Sequence, residues 1–267
     1  MAGQIKPPMW CPGIVPVGSS LHNGLDSYWA FVEGGGTRIM DVSHNGLYAT
    51  AVGGSWSAGP SGPTYLFDGT DDQVNTTSAR PYADEYSPGF SFMVRYKRTS
   101  GTGFIGNVND DWDEVGWCVY FRAAAGAHIA FTLTTVDGND YIRMGNVDTN
   151  WHTLIGTYNG ALMTLHLDGV SGGTQAQTDH VPSNGKIVRI ADPFETGHYS
   201  NARFGGSVDV FAIWRRALSA GDIAELTANP YGLITMPDDL PLWVGAAAST
   251  PGAAVGNRRR RFFMGAA

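Results

Sequence analysis

The strongest constraint on this chain is a period of two. In FSFMVRYK, Phe90, Phe92, Val94 and Tyr96 alternate with Ser91, Met93, Arg95 and Lys97. Successive side chains of a strand point to opposite faces, so the pattern predicts a strand with the aromatic set turned inward. WHTLIGTY and ALMTLHLDG are joined by Asn159-Gly160, a pair that tolerates positive φ, and the combination predicts a hairpin. Met163, Leu165 and Leu167 then point one way, and Thr164, His166 and Asp168 the other. HIAFTLTTVDGNDYIRMG predicts a second hairpin, turning at Asp137-Gly138. SVDVFAIW is apolar at nearly every position, which suits a strand buried on both faces. One helix is predicted near the end, capped by Ser219 with Asp222 three residues on and with Ile223 and Leu226 on one face. Many short strands separated by turn signals predict an all-β sandwich or jelly roll.

Composition narrows the function classes. The 36 glycines among 267 residues argue against a helical bundle, and 43% apolar residues argue against disorder. No run of 18 apolar residues is present, so no helical membrane span is predicted. The net charge is −7, and four consecutive arginines, Arg258 to Arg261, leave the rest of the chain still more acidic. Such a body repels phosphates and is not expected to bind nucleic acid. Cys11 and Cys118 lie far apart, form no zinc spacing and are expected as free thiols. The opening MAGQIKPPMWCPGIVPVG lacks a charged-then-apolar pattern and carries Pro7, Pro8, Pro12 and Pro16, so no export signal is expected.

Three zones differ in composition. Residues 1–27 form a Pro/Gly-rich arm, residues 28–229 carry the strand pattern, and residues 230–267 form an irregular tail.

Across the middle zone the chain resembles the concanavalin A-like, laminin-G-like jelly-roll domains. Five segments carry the resemblance in order. They are YWAFVEGGGTRIMDVSHNGLYATAVGG, YLFDGTDDQVNT, FSFMVRYKR, NWHTLIGTYNGALMTLHLDGV and FGGSVDVFAIWRRALSAGDIAEL. The resemblance implies two antiparallel sheets, one of them concave. The ends, PPMWCPG with HNGLDSYWAF and RRRRFFMG, are similar to laminin-G-like proteins carried among the structural genes of tailed phages.

Glucanases on this fold place Glu-x-Asp-x-Glu along one strand, which lines three carboxylates on one face. The nearest segment is NDDWDEVGW. Asp111 and Asp113 alternate, but Val115 occupies the third position and Glu114 faces the other way, so no enzyme is expected. His152 follows Trp151 in the family's Trp-His position and is expected to be a packed strand residue. The resemblance also implies a calcium site where the opening loop meets the last long strand, with Asp41, Asn45, Gly46 and Asp209 as candidate ligands. Asp209 stands in an apolar strand and needs a cation, a hydrogen-bond network or exposure. Calcium is the one cofactor expected.

Carbohydrate recognition on this fold uses aromatic platforms, and Trp56, Trp112 and Trp117 are the candidates. Burial in the core is the competing role for each. In the tail, Arg258, Arg259, Arg260 and Arg261 can grip carboxylates or phosphates, and Phe262 and Phe263 can bury in a partner's groove. The leading expectation is a phage virion protein, a capsid decoration or accessory protein tied into the particle by its arms and assembled in the host cytoplasm. Its partners would be other virion proteins, copies of itself and host-surface glycans, with no membrane contact. The alternatives are a glycan-binding adhesin on a tail or head fibre and, behind it, a glycosidase.

Overall fold

The structure is a computed structural model. It describes residues 19–43, 45–77, 89–107, 115–122, 127–135, 138–145, 148–178, 185–192 and 203–234. The chain divides into Met1–Met236 and Pro237–Ala267, and the second unit lies outside the described residues.

The described residues of the first unit form sixteen strands, a 3-10 turn at Ser20–His22 and one α-helix. The first six strands are β1 (Leu25–Trp29), β2 (Arg38–Met40), β3 (Tyr48–Val52), β4 (Ser55–Gly59), β5 (Gly62–Asp68) and β6 (Gln73–Thr76). The next five are β7 (Phe90–Ser100), β8 (Gly103–Gly106), β9 (Gly116–Arg122), β10 (His128–Thr135) and β11 (Gly138–Met144). The last five are β12 (Trp151–Tyr158), β13 (Leu162–Leu167), β14 (Val170–Ala176), β15 (Arg189–Ile190) and β16 (Gly205–Trp214). Helix α1 spans Ala220–Ala228.

Two antiparallel sheets result. The first runs β14-β13-β12-β7-β16-β5-β4, with β1 also paired to β16. The second runs β11-β10-β9-β8-β15-β6-β3-β2. This is the two-sheet jelly-roll sandwich that the sequence pattern predicts. The main core fills the space between the sheets. Phe90, Phe92, Val94 and Tyr96 from β7 meet Trp117, Val119 and Phe121 from β9 and Phe131 from β10. Phe92 stacks on Trp117 with ring centroids 5.1 Å apart and meets Phe131 edge-on, also at 5.1 Å.

The predicted hairpin at Asn159-Gly160 is present. Its turn is held by Asn159, whose side-chain oxygen accepts from the Ala161 and Leu162 amides at 3.0 and 2.8 Å. Met163, Leu165 and Leu167 all enter the main core. β10 and β11 pair through to Thr135 and Gly138, while Asp137 lies outside the described residues. The helix matches its sequence signals. Ser219 and Asp222 form a reciprocal capping box, and Ile223 and Leu226 are buried.

β7 departs from simple alternation. Met93 and Ser91, expected to face solvent, are fully buried. A second core covers that face, built from α1, the 3-10 turn and the segment after the helix. Met93, Ile155, Val210, Ala212 and Trp214 pack there against Leu21, Tyr28, Leu226 and Tyr231. Polar groups lock it. The Trp214 indole donates to the Leu21 carbonyl at 2.8 Å and the Tyr28 hydroxyl to the Pro230 carbonyl at 2.7 Å. The first sheet is therefore buried on both faces over Phe90–Val94 of β7 and Val208–Trp214 of β16.

Gly156 on β12 sits opposite Phe92. A Cβ there would lie 2.3 Å from the Phe92 ring. The stacked ring has no room to retreat, so Gly156→Ala is expected to cost about 1–3 kcal/mol. Urea unfolding with an unchanged m value checks it.

Candidate ligand-binding groove

At the edge of the first sheet burial stops. Among the described residues β4 pairs with β5 alone, so its outer backbone groups face no described strand. Its sequence, SWSAG, places one large ring, Trp56, among small residues. Trp56 is half-buried. It meets the Tyr65 ring edge-on at 5.2 Å and the Phe31 ring at 6.4 Å. Its indole N–H donates to the Gly36 carbonyl at 2.8 Å, which fixes the ring's rotation. Beside it lies a groove of 440 Å³ lined by Gly34, Trp56, Ser57, Ala58, Gly59, Gly62 and Pro63. The glycines are required by packing as well as by shape. A Cβ on Gly59 would come within 2.1 Å of the Thr64 methyl group. Gly34 adopts φ +65°, a conformation that side chains disfavour. The volume falls in the usual range for small-ligand sites.

Trp117 does not join it. Trp117 is 1% exposed and stacked against Phe92, so it is a core residue and is corrected as such. On a strand that alternates Trp117, Val119 and Phe121 inward, the period of two already aims it at the core. Trp112 lies outside the described residues, as do Asp111, Asp113, Glu114 and the tail anchor Arg258, Arg259, Arg260, Arg261, Phe262 and Phe263.

The two carboxylates among the four expected calcium ligands are engaged elsewhere. Asp41 Oδ1 accepts from the Tyr28 and Ser43 amides, each at 2.8 Å. Its Oδ2 accepts from the Ser43 hydroxyl at 2.7 Å. Burial raises the Asp41 pKa, and these donors offset part of the rise. Asn45 donates its side-chain N–H to the Asp26 carbonyl at 2.6 Å, and Gly46 turns the loop at φ +62°. Asp209 is fully buried and ion-paired with the Arg95 guanidinium, and the Tyr231 hydroxyl donates to it at 2.6 Å. The cation that a buried Asp209 needs is thus a side chain 114 residues away. Oxygens already holding N–H and O–H donors do not form a calcium sphere of six to eight oxygens. The residues do not fit that ion as one site. Asp41 ties the loop after β2 to β1, and Asp209 ties the segment after α1 to the first sheet.

A group the sequence reading missed lies in the turn after β5. Asp68, Asp71 and Asp72 bring carboxylate oxygens within 4.8 Å of one another. Asp72 is buried and accepts from the Gly54 amide and, at 2.7 Å, from the Asp68 amide. It shapes the turn of the Phe-Asp-Gly strand pair.

Residues 68–224 match the family described as the Concanavalin A-like lectin/glucanases superfamily, which is more than half of the chain. The chain belongs to that superfamily. No curated protein matches it by sequence. Among solved structures, the superfamily fold is shared with Domain 4 of AbnA, an extracellular arabinanase from Geobacillus stearothermophilus, solved in complex with arabinotriose. That likeness has a TM-score of 0.59 at 14% identity over 76% of this chain and 98% of that domain. The binding domain of Paraclostridial Mosquitocidal Protein 1 is similar at TM-score 0.62 and 16% identity, over 78% of this chain and 52% of that one. The receptor binding domain of botulinum neurotoxin D is similar at TM-score 0.61 and 14% identity, over 79% and 54%. The chain spans about half the length of these toxin domains. Among the described residues no helix is long and apolar enough to cross a membrane.

The superfamily's Trp-His position is a structural clamp here. His152 is buried, with Nδ1 at 2.7 Å from Asp168 Oδ2 and Nε2 at 2.7 Å from Asp148 Oδ1. Asp168, at φ +51°, also accepts from the Thr153 amide at 2.8 Å. Neutral imidazole has one N–H, so two carboxylate contacts call for the doubly protonated ring. Burial alone would lower the His152 pKa, but the hydrogen bonds and charges of Asp168 and Asp148 outweigh it and raise the value above 6.5. The same contacts, with the Asn150 amide foremost, hold Asp148 down at about 2.

Two predictions follow from these pairs. The His152 clamp contributes fully below pH 6.5, the ordinary value, and fades as pH rises through the raised native one. The stability difference between wild type and His152→Gln should therefore shrink as pH rises above 6.5, read from melting temperatures. Asp209→Asn leaves the Arg95 charge without its counterion and should cost about 3–5 kcal/mol in urea unfolding. The pair Arg95→Met with Asp209→Leu should recover much of that loss.

Proposed function

We propose that this domain is a non-catalytic sugar-binding module and that the Trp56 groove seats a sugar ring. One observation carries the reading: an indole ring, pre-oriented by Tyr65 and the Gly36 carbonyl, borders a glycine-walled groove on an open sheet edge. The apolar face of a pyranose or furanose stacks on such a ring, and the C–H groups that it buries leave its hydroxyls at the rim. There the outer backbone groups of β4 can exchange hydrogen bonds with them. The groove is open and shallow, so it suits a terminal or exposed residue of a larger glycan. The arabinotriose complex of the AbnA domain supports a sugar-binding role on this architecture.

The setting is proposed on separate grounds. The Pro-rich opening and the Arg/Phe ending, both outside the described residues, resemble those of phage structural proteins. We read the chain as a virion component, a capsid decoration or accessory protein whose arms hold the sugar-binding body outward toward host glycans. An adhesin on a tail or head fibre would use the same groove.

Calorimetric titration with arabinotriose and a panel of neutral oligosaccharides tests the groove. Binding by the wild type that weakens roughly tenfold or more in Trp56→Ala is expected. Silence across the panel, or binding indifferent to that substitution, would sink the assignment. Deleting residues 258–267 should abolish incorporation into particles if the tail is the anchor.

A further inference from the structure

The register of β4 on β5 decides which backbone groups its open edge presents. The two strands are joined by the two-residue turn Pro60-Ser61, which closes on the partners Gly59 and Gly62. The pair that closes such a turn exchanges both of its backbone hydrogen bonds, and the exchange recurs at every second pair. Ser57 with Thr64 and Ser55 with Leu66 therefore bond across the ladder. Trp56 and Ala58 alternate with them and turn both N–H and C=O away from β5, toward the open edge. Pro63, which has no N–H to give, stands opposite Ala58, at a pair that makes no bond across this ladder.

Of the two outward residues, Ala58 is exposed and Trp56 half-buried. A period of two puts their side chains on one face, ~7 Å apart along the strand. Both border the groove, and so does Gly59, which follows Ala58 and has no side chain to cover its backbone. A sugar ring laid against the indole thus brings its rim to the Ala58 backbone. The N and O atoms of one extended residue lie about as far apart as two gauche hydroxyls on neighbouring ring carbons. One hydroxyl then accepts from the Ala58 N–H while its neighbour donates to the Ala58 C=O. Other polar groups match this pair less well. A trans amide, as in an acetamido group, turns its N–H and C=O in opposite directions and makes one bond of the two. A carboxylate accepts but does not donate, and no charged side chain among the described residues lines the groove. An added peptide strand would find only two outward residues on β4, fewer than an ordinary ladder uses.

We propose that the Trp56 groove selects neutral pyranoses carrying a free vicinal diol, and that the Ala58 N–H and C=O read that diol while the indole holds the ring face. The proposal rests on the sugar-binding reading of the groove and adds the chemical group that is recognised. Stacking alone accepts any sugar with an apolar face. The paired bonds at Ala58 require two neighbouring hydroxyls in the gauche relation, both unsubstituted.

Proline at position 58 makes the test. Ala58→Pro removes the outward N–H without breaking a bond to β5, and edge strands accept proline at such positions. Ser57→Pro removes a ladder bond instead and should lower the melting temperature, whereas Ala58→Pro should leave it nearly unchanged. The ligands for calorimetry are pyranose trisaccharides of gluco, manno and galacto configuration, each beside its per-O-methylated form. At least one free trisaccharide should bind the wild type, and its methylated form should bind roughly tenfold more weakly or worse. Ala58→Pro should weaken the free ligand by roughly tenfold. Ala58→Val adds similar bulk but keeps the N–H, and should stay within about threefold of the wild type. Binding that falls in Trp56→Ala but is indifferent to Ala58→Pro or to methylation would leave the sugar-binding reading standing and overturn this one. An equal loss in Ala58→Val, or a melting temperature lowered as far by Ala58→Pro as by Ser57→Pro, would overturn it as well. So would a dimer in sedimentation that Ala58→Pro dissociates, because the edge would then belong to a second copy. Binding of no trisaccharide would remove both readings of the groove.

Discussion

The first sheet has to bury two faces at once, and the pairing of Arg95 with Asp209 is what makes that tolerable. β16 gives Val208, Phe211 and Ile213 to the core between the sheets and Val210, Ala212 and Trp214 to the core under the helix. A carboxylate in such a strand would be expelled unless neutralised. Arg95 comes from the neighbouring strand β7, and its guanidinium lies 4.9 Å from the Trp151 ring centre, so charge and apolar stem are both covered. Tyr231 closes the group from the segment after α1. One ion pair thereby holds the helix and its follow-on turn against the sheet. The second core exists because that cap is in place.

With that side closed, the open groove of the first sheet lies where that sheet ends, at β4. β4 is an edge, and an edge strand leaves backbone donors and acceptors unmatched. The Gly-rich loop reaches over it as far as the Trp56 indole, so the ring is held while the strand's outer rim stays open. The second sheet solves the exposure of its outer face differently. Small residues fill its centre, and paired Arg and Tyr side chains shield its ends.

Elements governed by neighbours in sequence were legible without the structure. The inward set of β7, the Asn159 turn and the Ser219 cap depend on spacing of two, three or four residues, and each appears as predicted. Features governed by distant partners were not. Nothing near Met93 announces that α1 will cover it. Asp209 was recognisable as needing a cation, but Arg95 is 114 residues earlier and sits on what alternation alone calls a solvent face. Calcium was the local guess for a charge that is balanced at long range. Among the tryptophans, the strand period around Trp117 was sufficient to place it inside, and the small residues flanking Trp56 were the signal of an edge.

The same reasoning explains why the row of outward residues across the second sheet is invisible in sequence. Each member comes from a different strand, and no two are adjacent in the chain. Each looks unremarkable in its own segment, an arginine or a threonine alternating with an apolar neighbour. Only the register, which makes Arg38, Thr50, Asn75 and Arg189 successive partners, turns scattered polar positions into one surface. Register is set by the inward residues, because a slip of one would turn Ile39, Ala49 and Val74 out to water. The core that fixes the fold therefore also fixes the charge pattern on the opposite face. A change that shifted one strand would disturb the surface row and the packing together.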